Sequence, residues 1–202
     1  MRGLCNDYTE IFTRVWNVKK KMSIDVWQNA TKDTAGDLIL TGYVGEFKDM
    51  PVYKEVESLL GSGLTALDFG CGVGRNSVAL AKTYDKVISF DLPNIIDLVP
   101  EENKLSNITY TTDWEHVKTF KFDTILASLV FQHIEDLELE SYLNDLSHIV
   151  NRLVLHSRTW IDHSASQVLP IVEKYFIIDT IEYSRDPNNP IDDHFIATLN
   201  KR

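Results

Sequence analysis

The sequence predicts an α/β fold: a three-layer, doubly wound, mostly parallel seven-stranded sheet with an antiparallel C-terminal hairpin. Three observations carry this. A short apolar run, Thr65 to Phe69, leads into a loop with glycine at every second position and then into a helix-forming stretch, 76–82. From residue 65 onward, strand-like and helix-like segments alternate, the pattern of parallel strands joined by crossover helices. The last two strand-like segments, 175–183 and 194–199, have only a loop between them. No crossover helix fits there, so they form an antiparallel pair.

Taken in order, the chain divides into an N-terminal helical lid or decoration, 1–60, and a core, 61–202, within one domain. Tyr8, Ile11, Phe12, Val15 and Trp16 recur at helical spacing, and Val26 and Trp27 follow. A polar stretch runs through Asp37, and Leu38 to Tyr43 reads as strand or loop. Pro51 opens a helix through Tyr53, Val56, Leu59 and Leu60 that Gly61 ends. This region is too short and interrupted to bury a core of its own. The first strand is 65–69, the second 87–91, the third 107–111, the fourth 122–128 and the fifth 152–156. The clearest helix between them carries Leu139, Tyr142, Leu143, Leu146, Ile149 and Val150 on one face.

Composition excludes several classes of function. With 202 residues, 44% apolar and 25% charged, the chain reads as a soluble globular domain with room for a sizeable core. The formal net charge of −10 repels phosphate backbones, so no nucleic-acid partner is expected, and Lys19-Lys20-Lys21 reads as a solvated face. No apolar run reaches the roughly 18 residues of a membrane span, and no signal peptide is visible. The two cysteines, Cys5 and Cys71, imply no disulfide framework, which fits a cytoplasmic location.

The glycine loop narrows the ligand. Glycine tolerates positive φ and lets the backbone approach a ligand closely, and the N–H groups at the start of the next helix face it. The dinucleotide fingerprint G-x-G-x-x-G needs glycine at 75, where this chain has Arg75. A ligand without pyrophosphate has no such need. Leu67-Asp68-Phe69-Gly70-Cys71-Gly72-Val73-Gly74 resembles motif I of the class I S-adenosylmethionine-dependent methyltransferases. The parallel sheet closed by an antiparallel hairpin is also that family's layout, so the resemblance spans roughly residues 50 to 202.

The resemblance implies S-adenosyl-L-methionine as cofactor and assigns its contacts residue by residue. Gly70, Cys71, Gly72 and Gly74 form the loop beside it, with Cys71 also readable as a small loop filler. Asp91 ends the second strand 21 residues after Gly70 and suits the ribose diol, with Leu92 next to it; the plainer reading of Asp91 is an exposed strand-end carboxylate. Asp68 either favours the ammonium of the cofactor's methionine part or caps the loop's own N–H groups. Asp113 either accepts from the adenine amino group or caps a helix beginning at Trp114. Trp114 either covers the adenine face or belongs to the core.

The end of the fourth strand reads Ser128-Leu129-Val130-Phe131-Gln132-His133-Ile134. Ser128 is carried over as a cofactor contact. This stretch has no Asn/Asp-Pro-Pro-aromatic run of amino-methylating DNA enzymes, no paired glutamates of arginine methyltransferases and no aspartate of a catechol-type metal site. Its Gln-His pair resembles the group acting on sugars, quinones and natural products. His133 is therefore the candidate general base, or else a histidine tying the strand end to the next helix. Trp160, Asp162 and His163 follow the fifth strand as plausible substrate contacts. His156, Asp162 and His163 match no metal-ligand spacing, so no metal is expected. The acidic, proline-containing stretch 186–193 reads as a turn.

The function this implies is methyl transfer to an oxygen or nitrogen of a small molecule, with the N-terminal helices closing over the cofactor. Two rivals are a non-catalytic cofactor-binding partner subunit and a nicotinamide oxidoreductase with an irregular fingerprint, against which Arg75 argues.

Overall fold

The structure, a computed structural model, describes residues 27–29, 31, 52–159, 165–184 and 194–202. Seven strands form one sheet: β1 (Gly63–Phe69), β2 (Tyr84–Phe90), β3 (Ile108–Thr111), β4 (Phe122–Ser128), β5 (Val150–Arg158), β6 (Phe176–Ser184) and β7 (His194–Lys201). Their order is β3-β2-β1-β4-β5-β7-β6. The first five run parallel, and β7 pairs antiparallel with both β5 and β6.

The expected fold class is therefore observed, with one feature that spacing does not contain. The last strand inserts between β5 and β6 instead of extending the edge. Burial gives the reason: β7 is enclosed from His194 to Leu199, whereas β6 is exposed at Ile177 and Tyr183. The more continuously apolar strand takes the inner place, as a strand covered on both faces must.

Helices cover the sheet: α1 (Lys54–Leu59), α2 (Arg75–Leu80), α3 (Pro93–Ile96), α4 (Trp114–Val117), α5 (Asp136–Ile149) and α6 (Ala165–Val172). Side chains alternate across each strand, so neighbouring residues feed opposite layers. Leu67, Ile125, Leu153 and Leu155 face a core with Leu139, Leu143 and Leu146 of α5 and Val168 and Val172 of α6. Ala66, Leu126 and Val154 face the other layer, with Val56 of α1, Ala79 and Leu80 of α2, and Leu60. Each fully buried Leu, Val or Phe contributes about 1.5–3 kcal/mol relative to exposure, so these two layers hold the sheet. On α5 the buried residues fall three or four apart, while Leu137 on the opposite face is 85% exposed. Asp136 and Glu138 in its first turn favour the positive end of the helix dipole.

Several boundaries differ from expectation by a few residues. β2 stops at Phe90, which puts Asp91 just beyond it, and β5 runs on to Arg158. The helix expected from Pro51 starts at Lys54, with Tyr53 at its N-cap. Pro51 itself, the helix through Tyr8 and Trp16, the stretch Leu38 to Tyr43, Lys19 to Lys21, and the loop 186–193 lie outside the described residues. No helix among the described residues is long and apolar enough to cross a membrane.

Candidate cofactor and substrate site

The C-terminal ends of β1, β2, β4 and β5 meet along one edge of the sheet, where the strand order reverses between β1 and β4. Open α/β sheets bind ligands at such a point. A cavity of about 250 Å³ lies there, walled by Gly70 to Val73 of the glycine loop, Phe90, Asp91, Leu92, Ser128 to Val130, Gln132 to Ile134, Tyr142 and Arg158, while Gly74, expected beside the cofactor, packs against Tyr110 instead.

The glycine loop is built by crowding on both sides. Gly70, Gly72 and Gly74 have φ of 71°, 56° and 84°. A Cβ on Gly70 would stand 2.0 Å from Val130 Cγ2, and one on Gly74 would stand 2.1 Å from the Tyr110 hydroxyl oxygen. A Cβ on Gly72 would meet nothing within 4 Å, because this glycine faces the cavity. The Gly70 and Cys71 N–H groups donate to Phe90 O at 2.8 and 3.1 Å, which stitches the loop to the end of β2. From below, the Asn103 side chain donates to Val73 O at 2.8 Å, and Tyr110 donates to Asn103 O at 2.9 Å.

Asp91 completes the wall. Its Oδ2 accepts the Gly72 N–H at 2.7 Å and its Oδ1 accepts the Leu92 N–H at 2.7 Å. Burial raises its pKa to about 6 against the lowering pull of these two bonds. Each oxygen keeps a lone pair for a further donor.

Asp68 lies elsewhere than the resemblance implies. It is fully buried beneath the loop and does not reach the cavity wall. Ser77 donates to its Oδ2 at 2.6 Å, Ser89 donates to Ser77 at 2.8 Å, and Oδ1 has no hydrogen-bond partner. Burial raises the Asp68 pKa to about 7. It anchors β1 to α2 from inside, and neither reading offered by sequence, the ammonium contact or the cap on the loop's N–H groups, describes these bonds.

Comparison with known proteins identifies the framework. Residues 66–152 match the family described as a methyltransferase domain. The chain has the fold of a class I methyltransferase. No curated protein matches its sequence. Among solved structures it is similar to the N-methyltransferase NodS of Bradyrhizobium japonicum bound to S-adenosyl-L-homocysteine. The identity is 19%, over 76% of this chain and 89% of that one, with a TM-score of 0.61. It is also similar to magnesium protoporphyrin IX methyltransferase of Synechocystis with bound SAM, at 20% identity over 73% and 77% and a TM-score of 0.60. A third is a SAM-dependent methyltransferase of Methanosarcina mazei, at 15% identity over 75% and 99% and a TM-score of 0.59.

The two expected adenine contacts sit away from the cavity. Asp113 is the N-cap of α4, its Oδ1 accepting the His116 N–H at 3.1 Å. The Trp114 indole N–H donates to Asp145 at 2.9 Å, and its ring packs against Phe69, Phe90 and Tyr142 at centroid distances of 5.6, 5.1 and 5.0 Å. Both follow the plainer reading, since a short helix needs its cap and a tryptophan its apolar surroundings. Phe90 and Tyr142, in front of Trp114, line the cavity instead.

Cys71 lines the cavity as a buried, unbridged thiol whose pKa burial pushes upward, which keeps it protonated and inert. The Ser128 hydroxyl is 2.9 Å from Nδ1 of the buried His156, and burial holds that imidazole neutral. Leu129 follows at φ 60°, a left-handed conformation rare for a branched side chain, on the cavity wall. The sequence reading missed Arg75, Gln132 and Arg158 as lining residues. Arg75 carried a signal, its place directly after the loop; Arg158 carried one too, since the stretch after the fifth strand leaves the sheet at this same edge, where only Trp160, Asp162 and His163 were singled out. Trp27 also lines the cavity, its ring 5.5 Å from that of His133, and its carbonyl accepts from Asn94 at 2.8 Å. Trp160, Asp162 and His163 lie outside the described residues. Among the described residues no group of His, Cys, Asp and Glu has the arrangement of a metal site.

Proposed function

We propose that this methyltransferase moves a methyl group from S-adenosylmethionine to an oxygen or nitrogen of a small molecule by direct displacement. The observation that carries the cofactor half is the junction of Asp91 with Gly72: a carboxylate with open lone pairs, locked to an open glycine on the wall of one cavity. The residues present fit the cofactor. Asp91 suits a vicinal diol, Gly72 admits a ligand against its backbone, and Phe90, Leu92 and Tyr142 offer apolar faces for a base.

When bound, the cofactor supplies a methyl group already activated on a sulfonium. The protein's task is then alignment and exclusion of water. Gln132, His133, Arg158 and Trp27 also line the cavity, and in this reading they face the acceptor. The mainly apolar lining and the net charge of −10 support a small acceptor over a nucleic acid. One of the similar structures is named for magnesium protoporphyrin IX, a small molecule, which supports this reading.

The test is a melting scan with S-adenosylhomocysteine and, separately, NAD, followed by turnover against amine, phenol, carboxylic acid and alcohol acceptors. A ligand at 100 times its Kd adds about 2.7 kcal/mol of stability. Stabilisation by S-adenosylhomocysteine alone supports the reading, stabilisation by NAD alone defeats it, and binding with no turnover on any acceptor favours the non-catalytic subunit.

A further inference from the structure

The pair Gln132–His133 closes the turn after β4, and the hydrogen bonds of Gln132 bear on which ring nitrogen of His133 holds a proton. Gln132 is 3% exposed. Its Oε1 accepts from the Arg158 backbone N–H at 2.8 Å and from the Ser157 hydroxyl at 3.0 Å. A backbone N–H only donates, so the amide atom facing it is the oxygen, and the amide has one orientation. The other end, Nε2, carries two hydrogens and no acceptor lone pair. It lies 3.2 Å from Nε2 of His133. That contact is a hydrogen bond only when the ring nitrogen presents its lone pair, and a neutral imidazole has one such nitrogen.

We propose that Gln132 is a positioning residue that holds neutral His133 in its Nδ1–H tautomer, so that His133 is not the general base of the reaction. The ring's one lone pair is committed to Gln132. Moving the ring proton to Nε2 sets two donors face to face. Turning the amide over to relieve this sets its NH2 against the Arg158 N–H inside a buried turn, which leaves donors unsatisfied there. The acceptor then arrives with its own lone pair ready: a neutral amine, or an oxygen acidic enough to ionise near neutral pH, in preference to an aliphatic alcohol. That consequence rests on the methyl-transfer reading; the tautomer does not.

The experiment is ¹⁵N NMR of the imidazole rings in the full-length protein, with His133 assigned by its absence from H133Q and the pH raised until the ring is neutral. The expected result is a proton on Nδ1 and a bare Nε2. In Gln132→Glu the carboxylate still accepts from Ser157 and Arg158, but the atom facing the ring becomes an acceptor, so the ring proton moves to Nε2. A wild-type ring with its proton on Nε2 overturns the proposal, and so does a tautomer unchanged by Gln132→Glu. The wild-type spectrum decides by itself if that variant does not fold. A melting scan with S-adenosylhomocysteine on the same samples tests the functional reading separately.

Discussion

Asp91 Oδ2 accepts the Gly72 N–H at 2.7 Å, so the carboxylate after the second strand holds the middle glycine of the loop after the first. The two are 19 residues apart in the chain and are joined in space because β1 and β2 are parallel neighbours, with Phe69 opposite Phe90. One side chain thus shapes the loop and faces the cavity at once.

Replacing Asp91 with Ala removes both bonds to backbone and the acceptor offered to a diol. Hydrogen bonds to a charged group contribute about 1.5–3 kcal/mol, which is about 10- to 100-fold in affinity. Calorimetry with S-adenosylhomocysteine should find a loss of this size in a protein that remains folded. Unchanged affinity removes the ribose assignment.

The three loop glycines should differ in tolerance. Gly72→Ala bears only the left-handed backbone, about 1–2 kcal/mol, since its Cβ meets open space. Gly70→Ala adds a collision with Val130 and should cost more. Val130→Ala in the same chain relieves the collision and should recover part of the loss. Urea unfolding of the singles and the double measures this, and equal costs for Gly70→Ala and Gly72→Ala would contradict it.

The buried carboxyls of Asp68 and Asp91 should contribute stability that falls as pH rises from about 4 to 7, opposite in sign to the contribution of the buried, neutral His156. The folded-state pKa of Asp68 is raised from 3.8 to about 7 and that of Asp91 to about 6, so the native state keeps protons that the unfolded chain has released. Folding is then favoured below the unfolded pKa, and the advantage is lost as pH climbs through the folded values. Asp68→Asn, which cannot ionise, should flatten this slope in denaturant titrations across that range. A slope unaltered by the substitution would show that the buried carboxyl does not set it.

Trp114→Phe separates core from cofactor. The variant loses the bond to Asp145 and should cost about 1 kcal/mol of stability. Affinity for S-adenosylhomocysteine should stay within twofold, roughly 0.4 kcal/mol. A tenfold loss of affinity would restore the adenine contact that sequence suggested for this residue.

Much of this was legible along the chain. Alternating apolar runs identify the strands, the spacing of Gly70, Gly72 and Gly74 marks the loop, and Asp91 follows from its distance to that loop. Local rules suffice for these because positive φ, strand periodicity and a strand-end carboxylate are properties of a few neighbouring residues. Asp113 and Trp114 were open to two readings for the same reason: a cap and a ligand contact ask for the same residue type.

By itself, then, the sequence determined the parallel α/β sheet, the terminal antiparallel pair and the glycine loop with its partner carboxylate. The tertiary structure alone decided that β7 lies inside β6, that Asp68 is sealed beneath the loop, and that Arg158 and Gln132 meet at the cavity. These depend on which strand buries more surface and on hydrogen bonds between residues as much as 26 positions apart, such as Arg158 N–H to Gln132. Such choices are settled by three-dimensional packing, which no short stretch of chain encodes.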